Sequence, residues 1–220
     1  MPALKLTVLS LVALTLAACV GSETTSRGEM APTPRPAAHS TKTATMQVVP
    51  SWSVEGVSVS VPQTLKVSEA NLFKPMADIV WRGDPRGDRY QQVGAIMEAA
   101  TRAATAPMKD GRSVIVAVEL HRFHALTEKA RYSAPFGGQY EFEAVVTLHD
   151  PATGDLIGEP RMVARDFPAA TGAKAVEEEA AGYSQKQAVT EVFAQMIREE
   201  LTRPIALPAL AEALPPVGAL

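Results

Sequence analysis

Three imidazoles and three carboxylates fall close together in the middle of the chain. His121 and His124 form an H-x-x-H pair, and His149 adds a third ring. A metal ion would need such groups to converge with tetrahedral or similar geometry. Read on a strand, positions of opposite parity point to opposite faces, so His121 and His124 do not share an ion. Glu119, Glu141 and Glu143 fall on one face of neighbouring strands and are spaced like paired carboxylates for acid–base work. The solvated face of an antiparallel hairpin has that same composition, and it is the plainer account. Arg86-Gly87-Asp88 spells an integrin-type tripeptide, but its Gly and Asp suit a turn and a helix cap. The sequence has no G-x-S-x-G, no H-E-x-x-H and no phosphate-loop glycine spacing. The expectation is a protein that is not an enzyme and holds no metal.

The basic residues are more suggestive. Arg82, Arg86 and Arg89 bracket the entry to a helix, and Arg122, Lys129 and Arg131 follow the strongest strand in a segment read as a loop. Basic side chains at a helix N-terminus make an anion site. If that helix and strand run antiparallel, all six cations meet at one edge, where an anionic lipid or an acidic protein partner would bind. Over the whole chain 21 Lys and Arg stand against 24 Asp and Glu. Such mild acidity argues against nucleic acid as a partner.

The chain's single cysteine, Cys19, closes the run Leu16-Ala17-Ala18-Cys19 after an apolar stretch from Leu6. Lys5 supplies the positive flank, and the small residues before the cysteine suit cleavage of an export signal. A membrane-spanning helix would need about 20 apolar residues, and Gly21-Ser22-Glu23 arrives too soon. The run resembles the lipobox of bacterial lipoproteins. That resemblance implies removal of residues 1–18, acylation of Cys19 and anchoring on the periplasmic face of the envelope, the covalent lipid being the one cofactor expected. Val20 and Gly21 stand where an Asp would resemble the inner-membrane retention signal, so the outer membrane is favoured.

What must hold these residues in place can be read in order. Residues 19–53, rich in Pro, Ser and Thr, form a tether with Pro32, Pro34 and Pro36 at alternate positions. Such composition stays extended and unpacked, with a mean span of about 30 Å. A domain follows over 54–203. Val57, Val59 and Val61 alternate with serines as in a half-buried strand. Asp88 and Gln91 match a capping box for a helix carrying Val93, Ile96, Met97, Ala100 and Ala104 on one face, which should stop before Pro107. Strands are expected over 113–124, 139–149 and 156–167, the last two as a hairpin. One long helix is expected over 172–202, with Val189, Val192, Phe193, Met196, Ile197 and Leu201 inward. Residues 204–220, apolar but broken by Pro208, Pro215 and Pro216, make a tail. The architecture predicted is a single α+β domain, an antiparallel sheet of about four or five strands with two helices on one face.

Two stretches carry a family likeness. Val61-Pro62-Gln63-Thr64-Leu65-Lys66-Val67-Ser68-Glu69-Ala70-Asn71, with Asp78-Ile79-Val80-Trp81-Arg82-Gly83-Asp84-Pro85, resembles a family of uncharacterised alphaproteobacterial lipoproteins. So does Arg122-Phe123-His124-Ala125-Leu126-Thr127-Glu128-Lys129-Ala130-Arg131-Tyr132. The resemblance implies a lipoprotein of unknown function and transfers no catalytic residue. The reading is an envelope lipoprotein that binds another envelope component. The alternatives are an accessory subunit of a lipid or solute transport complex and, third, a hydrolytic enzyme.

Overall fold

The computed structural model describes residues 47–135 and 137–206. Cys19, the leader, most of the tether and the end of the tail lie outside the described residues.

The elements run β1 (Gln47–Val48), β2 (Trp52–Ser60), β3 (Ile79–Val80), α1 (Arg89–Thr105), β4 (Arg112–His124) and α2 (Glu128–Ser133). They continue as β5 (Gly138–His149), β6 (Arg161–Ala169), α3 (Ala173–Ala180), α4 (Gln185–Leu201) and β7 (Ile205–Ala206). The expected α+β class is observed: one five-stranded sheet in the order β2-β4-β5-β6, with β3 also on β4. The sheet is mixed rather than antiparallel. β4, β5 and β6 pair antiparallel, but β2 and β3 run parallel to β4. The helix between β2 and β4 accounts for this, because parallel neighbours need a crossover and α1 supplies it.

The core lies between the sheet and the two long helices, α1 and α4. Val114, Val116, Val118 and Leu120 of β4 and Tyr140, Phe142, Ala144, Val146 and Leu148 of β5 are buried there. Against them pack Val93, Ile96, Met97 and Ala100 of α1 and Val189, Phe193, Met196 and Ile197 of α4. Asp88 caps α1, its side chain accepting from the Gln91 amide at 3.1 Å.

The expected long helix is two. Gly182 takes a positive φ of 81°, its amide donates to Glu179 O and that of Tyr183 to Glu178 O, closing α3. Ser184 and Gln187 then form the capping box that starts α4. The supposed loop after β4 contains α2, capped by the Thr127 hydroxyl accepting from the Ala130 amide. The third strand begins at Arg161, with Leu156 reaching only an isolated bridge to His149. Gln47–Val48 and Ile205–Ala206, read as tether and tail, pair with each other antiparallel.

One irregularity decides which side chains reach the outer face. β4 carries a bulge at His121, between Leu120 and Arg122 in its pairing with β5. A bulge adds one residue and flips the alternation. Leu120 and Phe123 therefore both face the core, opposite Ala144 and Phe142, while Arg122 and His124 lie opposite Glu143 and Glu141. On an unbroken strand Phe123 would share the outer side with His121; the bulge turns it inward.

Candidate functional site

Most of the six cations singled out in the sequence already have carboxylate partners. Arg82, Arg86 and Arg89 gather around Glu69. Arg89 donates from Nε and Nη2 to Glu69 Oε1 and Oε2 at 2.6 and 3.1 Å, while Arg86 Nε comes only to 4.0 Å. Arg82 donates from Nη1 to the Glu69 carbonyl at 2.6 Å and from Nε to Glu128. Hydrogen bonding from Arg89 holds the Glu69 carboxyl below its ordinary pKa, and hydrogen bonding from Arg82 does the same to Glu128.

The second group scatters. Arg122 bonds Glu143 at 3.0 Å on the outer sheet face. Arg131 is buried and bonds Glu179 of α3 at 2.8 Å. Lys129 stands over the Phe73 ring at 4.8 Å, and among the described residues it has no carboxylate partner. The structure thus joins the two groups through Arg82 and Glu128 of α2, but the charge at that junction is largely compensated. The pairings with Glu69, Glu128, Glu143 and Glu179 were missed because each carboxylate is distant in sequence from the arginine it neutralises.

Glu119, His121, Glu141 and Glu143 share the outer face without forming a common site. His121 Nε2 lies 3.6 Å from Glu119, and Glu143 is taken by Arg122. Among the described residues no three His, Cys, Asp or Glu side chains are placed to hold a metal ion.

A cleft that the sequence did not indicate opens at the end of the sheet where β4 finishes and β5 begins. Its volume is about 470 Å³, within the range of small-molecule sites. Phe73, Pro75, Leu126, Ala130, Ala134 and Pro135 give it apolar walls. Loop residues Leu72 and Phe73 are half exposed beside it and Met76 is fully exposed. One wall carries charge: Lys74 Nζ bonds Glu141 Oε1 at 2.5 Å, and His124 Nδ1 lies 3.7 Å from Glu141 Oε2. The other ring nitrogen of His124, Nε2, donates to the Ala77 carbonyl at 2.6 Å.

Polar contacts fix the segments that line the cleft. The Gln185 side chain clamps Leu126, accepting from its amide at 2.8 Å and donating to its carbonyl at 3.2 Å. The Thr127 hydroxyl donates to Leu72 O at 2.6 Å, and Asn71 Oδ1 accepts from the Lys129 amide at 2.7 Å. These bonds tie the loop around residues 71–72 to the start of α2. Glu141 is the only one of the four outer-face groups above that lines the cleft.

Residues 52–214 match the model of a family described as of unknown function, DUF6778. No curated protein matches the chain. Among solved structures, a Xanthomonas campestris protein of family-model DUF330 is 14% identical, with a TM-score of 0.38, covering 73% of this chain and 88% of that one. A minor lipoprotein from Acinetobacter baumannii is 12% identical, with a TM-score of 0.32, covering 67% and 91%. A single-substitution variant of the PelC dodecamer from Paraburkholderia phytofirmans is 15% identical, with a TM-score of 0.31, covering 71% and 96%. Superpositions this loose carry no argument about what the chain does.

Proposed function

The chain belongs to DUF6778, a family of unknown function, and on that premise we propose that it is a lipid-anchored envelope protein that binds another envelope component. The reading is non-enzymatic. Cys19 carries the anchor, on the periplasmic face and with the outer membrane favoured by Val20 and Gly21 after it. The observation that carries the binding reading is the apolar cleft beside exposed Leu72, Phe73 and Met76. Large apolar side chains gathered at the mouth of a cavity are what a recognition surface presents, whereas single exposed ones are ordinary.

The binding is tested by cross-linking the native, lipidated protein in cells and recovering what it holds. Replacing Met76 by Asp should abolish that recovery while leaving the thermal melt unchanged, since its side chain is fully exposed. Recovery undiminished in that variant would exclude this face as the binding site. The anchor has its own test. Cys19→Ser should abolish incorporation of an alkyne-tagged fatty acid and leave the unprocessed precursor; labelling equal to wild type would sink the assignment.

A further inference from the structure

We infer that the cleft takes an acyl chain of an anionic envelope lipid, with Lys129 at the headgroup. This rests on the binding reading above and names its ligand. Three observations lead to it.

The first is the state of the polar groups around the cavity. Glu141 is held by Lys74, His124 by the Ala77 carbonyl, and both backbone groups of Leu126 by Gln185. Pro75 and Pro135 in the walls have no N–H at all. An extended peptide brings a donor and an acceptor with every residue and would find few partners here, and unpaired polar groups resist burial. A hydrocarbon chain brings none.

The second is the mouth. Leu72, Phe73 and Met76 stand out from one loop with Lys74 between them. Apolar side chains interleaved with lysines are the composition of segments that lie at a lipid–water boundary.

The third is charge. Lys129 stands over the Phe73 ring with no carboxylate partner among the described residues, whereas Lys74 is paired with Glu141. Phe73, which lines the cleft, thus lies beside an ammonium group that no carboxylate among the described residues neutralises, and anionic headgroups attract such a lysine over a Debye length.

The test uses the acylated protein in its own cells. A photo-reactive benzophenone amino acid replaces Met76, whose side chain is fully exposed and supports no packing. After irradiation the peptide carrying position 76 is weighed by mass spectrometry. The expected result is an adduct with an anionic phospholipid, several-fold above that from the same probe at Glu98 on the exposed side of α1. Lys129→Glu should reduce it several-fold, and so should Ala134→Trp, which fills the cleft from its rim. A melting curve accompanies each variant; if Ala134→Trp fails to fold, the surface change at Lys129 decides alone. A protein adduct at position 76 overturns the lipid assignment and leaves the binding reading standing. A lipid adduct equal at Glu98, or unmoved by the variants, means mere nearness to the membrane and also overturns it. No adduct of any kind removes both.

Discussion

Phe193→Ala should lower the stability of the domain by about 3–5 kcal/mol. The ring is fully buried on α4 and meets the Phe142 ring edge-on, with centroids 5.4 Å apart. Phe142 in turn touches Phe123, Tyr140 and Phe167, so the one contact joins α4 to β4, β5 and β6 at once. Truncation removes transfer energy and leaves a cavity whose walls belong to a sheet and a long helix, elements that cannot collapse into it. Since a domain has only about 5–15 kcal/mol in total, a large share goes. Denaturant titration should show the midpoint lowered with its slope kept, and the melting temperature should fall by about 10 °C. Val192→Ala, next along the helix but only partly buried, should cost under about 1 kcal/mol. A loss that small at Phe193 would mean that α4 does not seat on the sheet as described.

That helix face was legible in the sequence because a fully buried stripe repeats at helical spacing. The same holds for β5, whose alternate residues from Tyr140 to Leu148 all face the core. What periodicity cannot carry is partnership. Nothing in Val57-Ser58-Val59-Ser60 says that β2 lies parallel to β4; the cue was the helix in between, which permits a crossover. Two breaks were written in plain residues and passed over. Gly182, then Ser184 with Gln187, mark the end of one helix and the start of another, but the apolar pattern of α4 is strong enough to hide them. The His121 bulge has no such signature, for it comes from a mismatch with β5 and reads as a regular strand alone.

The candidate site was less legible than the fold. Its cations were found, but their fate depended on carboxylates far away in sequence. Glu69 lies in a segment with no regular structure, and Glu179 sits on a helix that had been read as continuous. The cleft draws on three separate segments, around 73–75, 124–135 and 137–141. Each looks like ordinary loop or strand end, and only the fold puts them together.

Glu69 is where that hidden pairing can be measured. Arg89 is buried, and its charge is tolerated because Glu69 accepts from two of its nitrogens. Glu69→Gln keeps the shape and removes the counter-charge. Breaking a fully buried pair costs about 3–5 kcal/mol; here the loss should be smaller, about 2–3 kcal/mol, because water reaches the Glu69 side and screens it. Arg89 also keeps the carbonyls of Asp84 and Pro85 and the side chain of Gln92. The double variant Glu69→Gln, Arg89→Met should recover part of the loss, since no buried charge then lacks a partner. The pH dependence has a definite sign. Arg89 holds the Glu69 carboxyl below its usual pKa of 4.5, so the folded state binds that proton less readily than the unfolded chain. The contribution is full above about pH 4.5 and is lost as pH falls through the depressed folded value. Glu128, lowered by Arg82, adds in the same window. Wild type should therefore lose stability more steeply than Glu69→Gln on acidification below pH 4.5, and the gap between them should close. Parallel curves from pH 7 down to 3 would show that Glu69 carries no net charge coupling, and Arg82 and Arg89 would then be held by their other hydrogen bonds instead.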